Sequence, residues 1–316
     1  MSPPGGAGEA AGALTGLGPG DAPRPARTLG DLLVPLVEGR GPLLVVSDFD
    51  GTLARIDPDP TGAVIDPLAR RALRRLAGLA AADPSRLRLV VLSGRTAPDV
   101  ARRVRVGGLR YLGNHGLEGG RLPRGTRAEL LRVGLEPWLE PFVAPARRLG
   151  EAVARQIPEP WLFVEEKGPA VAFHYRTASS PAAARTAILA AIRAAEADPA
   201  IPPHGMVRLE GRRVVELRPA DAGGKGAAME RLLEEEWPAA ALVLGDDRSD
   251  AEAFRVVAAA RDLGRLRGLN VAVEAAGETP AEVGAAADLA VAGPHEAARL
   301  LSTLADRLAV AVARDR

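Results

Sequence analysis

The chain has 316 residues, of which 47% are hydrophobic, so it is long and apolar enough to bury a core in each of two domains. Charge is balanced, with 41 basic and 40 acidic residues, and this argues against a general nucleic-acid binder. The absence of cysteine excludes disulfides, thiolate metal sites and a cysteine nucleophile. No apolar run approaches the length of a membrane span and no signal peptide is evident, so we expect a soluble cytoplasmic protein.

The basic residues are almost all arginine. Lys167 and Lys225 are the only two lysines in the chain. In such a composition arginine fills any position where a positive charge suffices. A retained lysine is therefore informative, because its ammonium group is a compact point charge and a guanidinium is not.

Most of the chain has the pattern of a protein that alternates buried strands with helices. Residues 1–28, rich in Gly, Ala and Pro, are the exception and predict a disordered tail. The predicted buried strands lie at 43–46, 89–92, 110–112 and 241–244. Helices are predicted at 67–81, 97–104 and 226–236, and a further helix begins at a capping box with Ser249 as its cap. This order predicts a parallel sheet with right-handed crossovers.

The middle of the chain differs, because its strands mostly alternate between apolar and polar residues. These strands are predicted at 161–164, 170–175, 206–209 and 213–217, with an alanine-rich helix at 181–196. Alternation predicts a sheet with one solvated face and covering helices, which is an α+β unit inserted into the first domain. We therefore place the core at 29–116 and 220–316 and the second domain at 117–219.

Two acidic segments directly follow buried strands. They are Asp48-Phe49-Asp50-Gly51-Thr52 and Gly245-Asp246-Asp247-Arg248-Ser249-Asp250. Ligands bind outside the carboxyl ends of strands in an open α/β sheet, so five carboxylates would share one crevice if the strands are near neighbours. They stay ionised together only with a cation, and all-oxygen ligands suit Mg²⁺ first. The alternative is two separate, solvated Asp-rich turns.

Phosphate-binding features accompany these carboxylates. Ser93 and Gly94 follow the second strand, where a hydroxyl and backbone N–H groups can hold a phosphate oxygen. Lys225 lies between glycines, just before a helix. The alternatives are that Ser93 only begins a helix and that Lys225 is an exposed lysine. Together the parts match phosphoryl transfer, in which a carboxylate attacks phosphorus and a neighbouring acid protonates the leaving group and then activates water.

This set resembles the four motifs of the haloacid-dehalogenase superfamily. The motif residues are Asp48-x-Asp50-Gly51-Thr52, Ser93, Lys225 and the run from Gly245 to Asp250. The resemblance implies that Asp48 is the nucleophile and Asp50 the general acid/base. It also implies Mg²⁺ bound by Asp48, the Asp50 carbonyl and Asp246. Asp247 and Asp250 would support the water shell of the metal and Lys225.

Further segments resemble the trehalose-6-phosphate phosphatase family within that superfamily. They are Leu92-Ser93-Gly94-Arg95, Gly113 to Glu118, Val164 to Gly168, Phe173 to Arg176 and Val215 to Pro219. The resemblance implies a Rossmann-like α/β core with an inserted α+β cap of the C2 type. The substrate-binding residues that it implies are Arg95, Asn114, His115, Glu165, Lys167 and Glu216. As an alternative, Glu165 and Lys167 form a cross-strand ion pair on a solvated face. For Asn114 and His115 the alternative is that they shape the hinge turn and do not contact the sugar.

The implied activity is Mg²⁺-dependent hydrolysis of trehalose 6-phosphate to trehalose and phosphate, with a functional link to trehalose-6-phosphate synthase. We expect a monomer. Alternatives are a related phosphatase of sucrose phosphate, mannosylglycerate phosphate or a hexose phosphate, a sugar-phosphate sensor without turnover, and a phosphotransferase or mutase. The chain departs from the family pattern at Ser249, at Ala251, where an acidic residue is usual, and at the two glycines before Lys225.

Overall fold

The computed structural model describes residues 29–39, 41–57, 59, 61–199, 205–211, 213–274 and 279–314. The predicted tail at 1–28 lies outside these residues. Strands are β1 (Leu43–Ser47), β2 (Leu87–Leu92), β3 (Arg110–Gly113), β4 (Glu118–Arg121), β5 (Gly134–Leu135), β6 (Phe163–Glu166), β7 (Val171–His174), β8 (Met206–Gly211), β9 (Val214–Pro219), β10 (Ala240–Gly245), β11 (Arg267–Glu274) and β12 (Leu289–Ala292). Helices are α1 (Leu29–Val37), α2 (Pro67–Ala82), α3 (Ala97–Val104), α4 (Glu140–Gln156), α5 (Pro181–Glu196), α6 (Lys225–Glu236), α7 (Arg248–Asp262), α8 (Ala281–Ala286) and α9 (Gly293–Arg314).

The larger sheet has the order β12-β11-β10-β1-β2-β3-β4-β5, and its first six strands run parallel. Side chains of β1 alternate between two apolar layers. Leu43 and Val45 pack with α1, α2 and α9, whereas Leu44 and Val46 pack with α6 and α7. Both faces of the sheet are therefore covered by helices, as a continuous apolar strand requires. This confirms the predicted parallel α/β core.

Helix starts in the core follow the predicted capping chemistry with one exception. The Asp66 side chain accepts hydrogen bonds from Leu68 N and Ala69 N at the start of α2, and Thr96 caps α3. The prediction that Ser249 caps α7 is wrong. Asp247 is the cap, because its carboxylate accepts from Asp250 N while the Asp250 carboxylate accepts from Asp247 N.

The smaller sheet is antiparallel, with the order β6-β7-β9-β8. One face is buried under α4 and α5, which pack on Val171 and Phe173. The opposite face carries a row of paired positions, Glu165, Ala172 and Glu216. Because side chains alternate across a strand, this row lies on the face that the helices leave open. The α+β unit is confirmed in its architecture.

Two features of the middle segment were not predicted. β4 and β5 extend the larger sheet by antiparallel pairing, so the boundary expected at residue 117 precedes two strands that belong with the core sheet. We propose that the inserted unit starts after Leu135. Helix α4 contains Pro141 near its start and Pro145 inside it. Proline normally interrupts a helix, so these two prolines argue against a helix here when the sequence is read alone.

Across the part of the chain that the structure describes, no helix combines the length and the apolar character that crossing a bilayer requires.

Candidate active site

The two acidic segments meet because the strands that carry them are neighbours. β1 and β10 pair in parallel, and Asp48 N donates to Leu244 O at 3.0 Å. The Thr52 hydroxyl donates to Asp246 Oδ1 at 2.9 Å, across 194 positions of sequence. The backbone of Gly51 passes so close that a Cβ there would lie 1.9 Å from Asp246 Oδ2. The predicted convergence of the two segments at one sheet edge is therefore observed.

Lys225 lies beneath these segments, at the first turn of α6. Its Nζ donates to Asp48 Oδ1 at 2.7 Å and to Asp250 Oδ1 at 2.8 Å, and Asp247 Oδ1 is 4.0 Å away. The residue is 1% exposed. Burial opposes its charge, but the carboxylates of Asp250 and Asp48 outweigh burial and raise the pKa of Lys225. The alternative of an exposed lysine does not hold.

Asp48, Asp246 and Asp250 bring carboxylate oxygens within 4.8 Å of one another, and all three residues are buried. Asp250 uses Oδ1 for Lys225 and Oδ2 for the backbone N–H groups of Asp246 and Asp247. Asp48 and Asp246 each have one oxygen bound, to Lys225 and Thr52. Among the described residues their second oxygens accept none of the hydrogen bonds, which leaves each of these two carboxylates one unused oxygen donor.

The charge at this cluster favours a cation. Burial, and then the neighbouring charge of Asp250, raises the pKa of Asp246 to about 8. Burial likewise raises the pKa of Asp48, despite the opposing effect of Lys225. Two buried carboxylates with raised pKa values and unused oxygens are a suitable donor set for a hard divalent ion, and they fit Mg²⁺.

Asp50 and Asp247 lie differently from the three clustered carboxylates. The Asp50 carboxylate is held by Arg95, which donates from Nε at 2.6 Å and from Nη2 at 2.7 Å. The Asp247 side chain is 54% exposed and caps α7. Asp250, expected only to support the site, is instead one of the three clustered residues. The structure therefore groups Asp48, Asp246 and Asp250 and directs the Asp50 carboxylate to Arg95.

The segment after β2 forms the second wall. Ser93 is 1% exposed, and its Oγ accepts from Arg95 N at 3.2 Å. Gly94 lies against the His115 ring, where a Cβ on Gly94 would come within 2.9 Å of Cε1. Only glycine therefore lets the imidazole pack on this segment.

Asn114 and His115 lie at the junction of core and smaller sheet, and both have a positive φ, 51° and 59°. Asn114 Nδ2 donates to Lys167 O at 2.8 Å, which links the two sheets. Burial and then Lys167 lower the pKa of His115 to about 4, so the ring is neutral. Its Nδ1 is buried and has no hydrogen-bond partner among the described residues. At this junction the neutral ring thus carries a buried nitrogen whose hydrogen-bonding capacity the described residues do not use.

The predicted sugar-binding residues of the smaller sheet meet the core. Lys167 is 5% exposed, and its Nζ donates to Gly94 O and to Glu216 Oε2, both at 3.0 Å. Glu165 Oε2 is 4.0 Å from the same Nζ and accepts from His174 Nε2 at 2.9 Å. Lys167 therefore does not form an ordinary ion pair on a solvated face. Burial opposes the charge of Glu216, but Lys167 prevails and lowers its pKa.

Some residues at the site received no role in the sequence analysis. Thr52 is quoted in the first motif but its bond to Asp246 required the fold. Glu118 accepts from Ala97 N at the start of α3, at 2.6 Å. His174 contacts the Glu165 carboxylate through Nε2, a structural role. Asp99 also contacts Arg95, and its i,i+4 spacing from that residue was the available signal.

Fold and site together define the class. A haloacid dehalogenase-like hydrolase from Bacteroides thetaiotaomicron superposes with a TM-score of 0.51 at 17% identity, over 82% of this chain and 97% of that chain. The C-terminal domain of the C. albicans trehalose-6-phosphate phosphatase gives a TM-score of 0.63 at 20% identity, over 89% and 98%. The protein thus has the fold of haloacid dehalogenase-like hydrolases, with the acidic residues at the expected sheet edge.

Sequence comparison is more specific. The family model described as trehalose-phosphatase matches residues 46–283. A trehalose-phosphate phosphatase of Mycobacterium bovis (strain BCG / Pasteur 1173P2) is 36% identical over 220 residues, which cover 67% of this chain and 51% of that protein. The chain belongs to the trehalose-phosphatase family. It spans about half the length of this curated relative.

Proposed function

We propose that the protein hydrolyses trehalose 6-phosphate to trehalose and phosphate through an aspartyl-phosphate on Asp48. The observation that carries the proposal is the buried arrangement of Asp48, Lys225, Asp246 and Asp250, in a chain whose family is that of trehalose-phosphatases. A structural ion pair would not need the unused carboxylate oxygens of Asp48 and Asp246.

In the proposed reaction Asp48 attacks phosphorus and Asp50 gives a proton to the departing sugar oxygen. Asp50 then takes a proton from the water that attacks the aspartyl-phosphate, which releases phosphate and restores Asp48. Lys225 holds the attacking carboxylate in place by its 2.7 Å contact and offsets negative charge. Ser93 and Gly94 are proposed to bind the phosphate oxygens that do not react.

We propose that Asp48 and Asp246 hold Mg²⁺, with Asp250 fixing the arrangement through Lys225 and two backbone N–H groups. The Asp50 carbonyl and Asp247 remain proposed members of that site. When bound, the ion would neutralise charge that builds up on the transferring phosphoryl group. The unused oxygens of Asp48 and Asp246 and the raised pKa of Asp246 support this assignment.

Recognition of the sugar is proposed to come from the smaller sheet. Glu165, Lys167 and Glu216 offer charged groups that can bind sugar hydroxyls, and Asn114 and His115 supply amide and imidazole groups. Lys167 already contacts Gly94 O, so a sugar bound there would lie between the two sheets. A reaction that forms trehalose 6-phosphate must supply the substrate, which is the functional link proposed to a synthase.

The test is phosphate release from a panel of sugar phosphates, each assayed with Mg²⁺ and with a chelator. We expect turnover of trehalose 6-phosphate in Mg²⁺ to exceed that of sucrose 6-phosphate, mannosylglycerate phosphate and glucose 6-phosphate by at least about 100-fold. Asp48→Asn serves as the matched control, since it removes the nucleophile with little change in shape. Equal turnover of the simple hexose phosphate would contradict the substrate, and no turnover of any compound would favour a sensor.

A further inference from the structure

A row of alternating charges starts at Asp50 and runs along one side of α3. Arg95 binds Asp50 through Nε and Nη2, and its remaining Nη1 donates to Asp99 Oδ2 at 3.0 Å. The same Asp99 oxygen accepts from Arg103 Nε at 2.9 Å. Asp99 and Arg103 are four apart on one face of α3, and Arg95 lies two residues before that helix.

The far end of the row reaches back to the chain that follows Asp50. Arg103 Nη1 donates to Thr61 O and to Ala63 O, both at 3.0 Å. These two carbonyls lie in the segment between Ala54 and Ile65, two residues that pair in an isolated β-bridge. Arg103 therefore anchors the loop that continues directly from the motif.

The row is partly shielded from solvent and held at both ends. The side chains of Arg95, Asp99 and Arg103 are 14%, 27% and 15% exposed. The Arg95 guanidinium also lies over the Phe49 ring, 5.7 Å from its centroid. Burial opposes the charge of Asp99, yet Arg103 and Arg95 keep its pKa below the usual value. A surface ion pair would be mobile, whereas this row has few alternative arrangements.

We propose that Asp99 and Arg103 are positioning residues that act through Arg95 to fix the Asp50 carboxylate and the loop behind it. The inference rests on the proposed function, because it assumes that Asp50 moves the proton. Asp99 occupies one edge of the Arg95 guanidinium so that the other edge faces Asp50 in the bidentate geometry observed. Arg103 holds Asp99 and restrains the loop at residues 61–63. Neither residue binds the sugar phosphate.

The experiment measures kcat and KM for trehalose 6-phosphate with Mg²⁺ in wild-type, Asp99→Asn, Arg103→Ala and Arg103→Lys protein. We expect Asp99→Asn and Arg103→Ala to lower kcat by about 10- to 100-fold with KM changed by less than about threefold, because small displacements of a reacting group are costly. Arg103→Lys should recover part of kcat, since one ammonium can still reach Asp99. Arg102→Ala, an exposed neighbour on α3, is the control and should keep the wild-type values.

Thermal unfolding of each variant separates positioning from loss of the fold. A kcat equal to wild type in folded Asp99→Asn, or a rise in KM at unchanged kcat, overturns the proposal. If Asp99→Asn is unfolded at the assay temperature, the two Arg103 variants decide the question. Equal kcat values for Arg103→Ala and Arg103→Lys, at equal stability, would overturn the proposal. A wild-type protein that releases no phosphate from trehalose 6-phosphate refutes the proposed function instead, which keeps the two failures distinct.

Discussion

At the scale of single residues, Lys225 is the centre of the site's electrostatics. It is buried between Asp48 and Asp250 and is the cation nearest to both. Removing one partner of a buried pair leaves an uncompensated charge and typically costs about 3–5 kcal/mol. We therefore expect Lys225→Met to lose that much free energy of unfolding in urea titrations and to lose phosphate release entirely.

The double variant Asp48→Asn with Lys225→Met provides the control for this prediction. It removes the charge that Lys225 neutralises, so it should regain part of the stability while remaining inactive. Equal stability of the single and double variants would mean that Lys225 does not compensate Asp48.

Gly51 is the second residue whose role follows from its surroundings. It has φ 83°, and a Cβ would collide with Asp246 Oδ2. Gly125 has φ 77° with nothing within 4 Å of its Cβ position, so Gly125→Ala measures the backbone cost alone, about 1 kcal/mol. We expect Gly51→Ala to lower the unfolding free energy by clearly more than Gly125→Ala and to abolish activity. Equal losses would show that the close approach to Asp246 is unimportant.

At the scale of elements, the start of α7 separates two candidate caps. Asp247 accepts from Asp250 N, whereas the Ser249 hydroxyl donates to Asp247 Oδ1. Asparagine caps a helix about as well as aspartate, and alanine does not. Asp247→Ala should therefore be about 1 kcal/mol less stable than Asp247→Asn, and Ser249→Ala should change stability by less than about 0.5 kcal/mol. A larger loss in Ser249→Ala, by chemical denaturation, would restore serine as the cap.

The strands and helices also show how much of the fold could be predicted from the sequence alone. Continuous apolar runs predicted the buried strands β1, β2 and β10 within one or two residues, because burial on both faces leaves a plain signal. Helix α4 was missed because Pro145 obscures its period, and β4 and β5 were missed because glycines at 119, 120 and 134 remove the side chains that mark a strand.

The site residues also differ in how far the sequence could predict them. Local motifs mark some of them, and contacts between distant parts of the chain determine the others. Motif spacing predicted that Asp48, Lys225 and Asp246 lie close together, since each follows a strand or begins a helix at the same end of the sheet. The partner of the Asp50 carboxylate, Arg95, was assigned to the sugar instead. Which side chain a given carboxylate meets depends on loop geometry, and the sequence carries no direct record of that geometry.

At the scale of the whole molecule, the acidic cluster joins two distant parts of the chain. Asp48 follows β1 and Asp246 follows β10, so an ion held by both would act as a cross-link of the core. Because the folded state keeps a proton on Asp246 that the unfolded chain has lost, the unfolding free energy of chelated protein should fall as pH rises from about 4 to about 8. Mg²⁺ at pH 8 should restore it.

Asp246→Asn is the matched variant for this prediction, because it cannot ionise. Its unfolding free energy should depend less on pH over that range, and Mg²⁺ should stabilise it little. The measurement is urea unfolding at pH 5 and pH 8, with chelator or with Mg²⁺. A Mg²⁺ increment equal to that of the wild type would place the ion away from Asp246.

The burial of Lys167 and Lys225 has a practical consequence for watching the molecule move. They are the only lysines of the chain, so the native fold presents reagents that acylate ε-amines with almost nothing to react with. The acylation rate of Lys167 would then report how often the smaller sheet separates from the core. The acylation rate of Lys225 would report how often the core itself opens. Two peptides in a mass spectrum would thus report two motions without any introduced label.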